Sequence, residues 1–120
     1  MSNEKRAPID EARQMLSDIP SDPLAAVERL GEVRELIDTA LNEAMAEATL
    51  EGASIRSVAV RAGLSPNAVP PRLARTSQLS SYTDAGGKVS SSSIERARYD
   101  SETGRPAPKE PMTFKPRRSS

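Results

Sequence analysis

Three aromatic side chains, Tyr82, Tyr99 and Phe114, are all that this chain of 120 residues offers a hydrophobic core. Any interior must therefore be assembled from Ala, Leu, Val and Ile. Such side chains suit closely packed helices; sandwiches and barrels draw on aromatic and β-branched strands. Apolar residues amount to only 36 %, below the usual level for a globular domain, so part of the chain is expected to stay unfolded. The composition predicts an all-α protein with at most one domain.

The same composition excludes several kinds of chemistry. There is no Cys and no His, which rules out disulfides, Cys/His zinc fingers, His-ligated haem and a His-based triad. No cofactor or metal is expected. No apolar run approaches the roughly 20 residues needed to span a bilayer, and Met1 to Pro8 lacks the apolar core of a secretory signal. A cytoplasmic protein is the expectation. Arg outnumbers Lys by 13 to 4, which fits a high-GC bacterial source.

The chain is neutral as a whole but its charge is segregated. Residues 1–52 hold five basic and twelve acidic side chains, net −7. Residues 53–83 hold Arg56, Arg61, Arg72 and Arg75 and no acid, net +4; residues 84–120 are net +3. A polyanion is repelled by the first block and attracted by the others.

Periodicity and caps divide the chain further. Residues 1–21 read as a leader with a short helix from Pro8 to Ile19, ended by Pro20. Residues 22–52 hold a long acidic amphipathic helix, opened by Ser21-Asp22-Pro23 and closed by Gly52. Leu24, Val27, Leu30, Val33, Ile37, Leu41, Ala44 and Ala48 are expected to line one stripe. That stripe is either intramolecular core or, over residues 24–37, the seam of a homodimer. Gly31 marks a place where the helix could kink.

Residues 53–78 carry the motif. Ser54 caps a helix over Ile55 to Ala62, Gly63-Leu64-Ser65 forms a turn, and Ser65 caps a second helix opened by Pro66 and running to Arg75 or Gln78. Residues 79–104 hold a turn or short hairpin around Asp84-Ala85-Gly86-Gly87. A last helix follows, from Ser92 or Ser93 to about Ser101, ended by Gly104. Residues 105–120, with four prolines and Lys109, Lys115, Arg117 and Arg118, read as a disordered basic tail.

The segment 54–73 resembles the helix-turn-helix of phage repressors and many bacterial transcription regulators. Ala59 matches the small residue where the two helices cross, Gly63 the turn glycine, and Val69 the branched residue that seats the second helix. Val58, Leu64 and Leu73 complete the apolar set, and Ala44-x3-Ala48-x3-Gly52-x-Ser54 is similar to the preceding helix and its link. The resemblance implies a tri-helical helix-turn-helix core, double-stranded DNA as the partner, and regulation of transcription without enzymatic activity. On that reading Asn67 addresses adenine and Arg72 guanine, while Arg56, Arg75 and the Ser65 hydroxyl meet phosphates. Backbone N–H groups at the start of the second helix would join them there.

Pro70-Pro71 departs from the pattern. In a helix begun at Pro66 each would remove a hydrogen bond at about 3 kcal/mol. The expected escape is a restart: one turn from Pro66 to Val69, an extended Val69, and a new helix opened by Pro70. An assembly protein that docks through its acidic helix is the competing reading. Carboxylates with no His or Cys beside them make an enzyme a distant third.

Overall fold

The computed structural model describes residues 6–104, and the architecture is all-α, with no strand among the described residues. Five helices run in order: α1 (Arg6–Leu16), α2 (Pro23–Leu50), α3 (Ile55–Ala62), α4 (Val69–Leu73) and α5 (Ser91–Thr103). Short 3₁₀ turns occupy Pro66–Ala68 and Ser80–Tyr82. The expected basic tail, with its four candidate DNA-contacting cations, lies outside the described residues. Packing divides the chain into two compact units that meet within α2, between Ala44 and Met45.

In the first unit, α1 starts two residues before Pro8, where proline still falls among the orphan N–H positions of a first turn. It ends at Leu16, short of the expected Ile19. Arg29 closes its C-terminus by donating to the carbonyls of Met15 and Asp18, a cation set against the negative end of a helix. The Asp22 carboxylate accepts the Ala25 N–H at 2.9 Å, so α2 begins with a capping aspartate followed by proline. Gly31 does not interrupt α2.

The single stripe expected along α2 is split. Val33 and Ala40 are buried, whereas Leu24, Val27, Leu30 and Ile37 remain 78, 66, 47 and 46 % exposed. The reason is geometric. Steps of three residues precess backward around a helix by about 60° each, so a row that opens with three such steps does not stay on one face.

The second unit builds its interior from Met45, Ala46 and Thr49 of α2, Val58 and Ala59 of α3, and Val69 and Leu73 of α4. Ile94 and Ala97 of α5 and the non-helical Leu79 and Val89 complete it, with Tyr82 from the second 3₁₀ turn. Arg98 reaches from α5 to the Thr49 carbonyl at 3.0 Å and closes the end of α2. Ser90, not Ser92 or Ser93, caps α5, accepting the Ser93 N–H, and Gly104 ends it in the left-handed region. The segment around Asp84 is a turn and not a hairpin. Its Oδ1 accepts the N–H groups of both Gly86 and Lys88, which folds the chain locally without a ladder.

Gly63 stops α3 at φ +74°, and the Leu64 N–H then returns to the Ala59 carbonyl at 2.9 Å. A Cβ at Gly63 would meet nothing within 4 Å, so only the backbone resists substitution there. Gly63→Ala is therefore expected to lose about 1 kcal/mol of unfolding free energy, and Gly63→Asn less, in urea titrations followed at 222 nm.

Candidate nucleic-acid interface

Helix α3 forms where the sequence places it. The Ser54 hydroxyl accepts the Ser57 N–H at 3.0 Å, and Val58 and Ala59 point inward at 6 and 0 % exposure. Ala59 thereby brings α3 close to its neighbours, and both the 3₁₀ turn and α4 pack against it. Val69 is fully buried. Ala59 and Val69 are thus buried, and Gly63 takes the left-handed conformation.

The outward side of α3 displays Arg56, Ser57, Val60 and Arg61, all exposed. Arg75 is exposed beyond α4. Arg56, Arg61 and Arg75 make no ion pair with a described residue, and no carboxylate occurs between Gly52 and Thr83. Arg61 is exposed on α3 together with Arg56, although the motif gave it no role. Its signal was present in the acid-free window. Asn67 and Ser65 are exposed on the turn between α3 and α4. Arg72 differs: it is half-buried and already engaged within the chain, so a guanine edge would have to compete for it.

The expected restart is present, a 3₁₀ turn at Pro66–Ala68 followed by α4, but two expectations about the second helix need correction. It is five residues long and ends at Leu73, not at Arg75 or Gln78. Val69 is helical, with φ −75° and ψ −48°, although proline follows it. Its N–H donates to the Pro66 carbonyl and its side chain is wholly buried, and together these outweigh the local preference for an extended residue. Because α4 starts at Val69, Pro70 and Pro71 fall in its first turn, where a missing N–H breaks no helical bond.

Placing the prolines there has an electrostatic consequence. A helix start binds anions through its free N–H groups. In α4 two of the first three residues have none, and the third, Val69, has used its own. Pro66 has none either, and the Ala68 N–H is held by the Ser65 carbonyl at 3.0 Å. The backbone donors expected beside Ser65 are largely missing. The Ser65 side chain makes no capping bond and stays exposed. Any phosphate contact here must come mainly from guanidinium groups.

Among the described residues no group of three or more acidic, His or Cys side chains could hold a metal ion. No described helix is long and apolar enough to cross a membrane. No known protein family matches the chain, and neither does any curated protein or solved structure.

Proposed function

We propose that this protein is a small, non-enzymatic DNA-binding protein of the cytoplasm, a transcriptional regulator or an accessory protein of a phage, plasmid or integrating element. The observation that carries the reading is that the acid-free segment holding α3 and α4 leaves Arg56, Arg61 and Arg75 exposed around two short packed helices. Guanidinium groups in such a field neutralise phosphates and release counterions. Asn67, on the exposed turn, supplies the side chain best placed to address a base edge. So few contacts from one copy give only nonspecific affinity, with dissociation constants on the order of 10⁻⁴ to 10⁻⁶ M. Two copies, joined through residues 24–37, are therefore part of this reading.

Fluorescence anisotropy with a random-sequence duplex, repeated across salt concentrations, tests it. The logarithm of the binding constant is expected to fall linearly with the logarithm of salt. Arg56→Ala with Arg75→Ala should flatten that slope by about 2 per copy bound, with far-UV circular dichroism unchanged, since both side chains are exposed. No binding to duplex at the lowest salt rejects the reading.

A further inference from the structure

The first unit leaves one side of its helix pair uncovered. Beside the buried Ala12 of α1, Glu11 and Gln14 lie on one flank and line an open groove. Ile9 and Leu16 lie on the opposite flank, 38 and 48 % exposed. Helix α2 repeats the arrangement around the buried Val33 and Ala40. Ala25, Glu28 and Glu32 line the same groove, while Leu30 and Ile37 lie on the other flank, with Val27 beside them. Both apolar flanks therefore look to the side opposite the groove and form one continuous face.

We propose that this face is closed by the same face of a second copy, giving a twofold four-helix arrangement of two α1–α2 hairpins. The inference deepens the two-copy part of the reading above and adds α1 to it. Three observations select this occupant. First, the hairpin's own interior is thin: its buried apolar side chains are Ala12, Val33 and Ala40, none larger than valine. Second, Ile9, Leu16, Val27, Leu30 and Ile37 together expose the equivalent of about two and a half whole apolar residues. That is on the order of 450 Å², more than half of the roughly 800 Å² each partner contributes to a standard interface.

Third, charge disfavours the other candidates. Residues 6–44 hold four basic and nine acidic side chains, net −5, which repels nucleic acid. A cationic partner is drawn to the groove side, where Glu11, Asp18, Glu28 and Glu32 are gathered. Arg34 falls between Leu30 and Ile37 at heptad spacing, where one polar residue in an apolar seam fixes register.

Light scattering and sedimentation equilibrium on the full chain without DNA decide the matter. A dimer is expected at micromolar concentrations. Leu30→Glu with Ile37→Glu should halve the mass while keeping the helical circular dichroism of a single copy. Leu16→Glu, on α1, should do the same alone, and serves if the double variant loses helicity. Val60→Glu, at a side chain 74 % exposed on α3, should remain dimeric. A wild-type monomer up to about 200 µM, an assembly larger than a dimer, or a dimer that survives both face variants overturns the proposal. Failure of the DNA reading shows separately, as an absent anisotropy change in a protein whose mass is still that of a dimer.

Discussion

Leu73→Ala is expected to lower the unfolding free energy by about 2–5 kcal/mol, toward the upper end of that range. Leu73 is the last residue of α4 and is fully buried, among the largest side chains that are. Val69, one turn earlier on α4, is also fully buried, but it is short and branched and cannot swing into the vacated space. Nor is there an aromatic reserve: Tyr82 is the sole buried aromatic among the described residues. A small domain holds about 5–15 kcal/mol in total, so this one truncation removes a large fraction. Urea unfolding followed at 222 nm measures it, with Val60→Ala as a control that should stay within about 0.5 kcal/mol. A loss below 1 kcal/mol for Leu73→Ala would mean that α4 is not seated on α3 as described. Because α4 lies between Asn67 and Arg75, the variant should also weaken any DNA binding in proportion to the unfolded fraction, and no further.

What could be read from sequence was local. Ser54 and Gly63 bound α3 to the residue because a cap and a left-handed stop act within four positions of themselves. Asp22-Pro23 fixes the start of α2 for the same reason. The all-α class follows from composition, since so few aromatic residues leave little else. At Pro70-Pro71 the break was legible, as one turn followed by a new helix, but the helical Val69 was not, because it is decided from a distance. The Pro70 carbonyl accepts the Val89 N–H at 3.2 Å, nineteen residues later in the chain. Together with the burial of Val69 this holds a helical turn that local preference opposes.

The remaining core was invisible for a different reason. Leu79 and Val89 sit in no helix, and Tyr82 in a single 3₁₀ turn, so no periodicity marks them. The exposed arginines of the candidate interface were legible as an acid-free window. The poverty of backbone donors at the start of α4 was not, because it depends on Val69 opening the helix. In α2, a count of apolar residues could not say which of two adjacent faces α1 covers.

Tyr82 should make the fold sensitive to alkali. Its side chain is 3 % exposed, and its hydroxyl donates to Asp100 Oδ2 at 2.8 Å, tying the turn before Asp84 to α5. Burial first, then the hydrogen bond to Asp100 and its negative charge, push the phenol from its usual 10 up to about 12, against a smaller opposing effect of Arg96. The folded state therefore favours the neutral phenol. In the unfolded chain it ionises near pH 10, while in the fold it resists until about 12. Its contribution is intact below pH 10 and is lost as pH rises through 12, about 2–3 kcal/mol over that window. Tyr82→Phe should flatten this decline. At neutral pH the same variant should be less stable by about 1–3 kcal/mol, because Asp100, 5 % exposed, loses its donor and keeps, among the described residues, a loose ion pair with Arg96 at 3.9 Å. Urea midpoints measured at intervals from pH 8 to 12 should therefore show wild type ahead at the start and level with Tyr82→Phe near the end. A constant gap between wild type and Tyr82→Phe from pH 8 to 12 would show that the buried phenol is not the group that titrates, and that the tie between α5 and the turn owes its strength to packing alone.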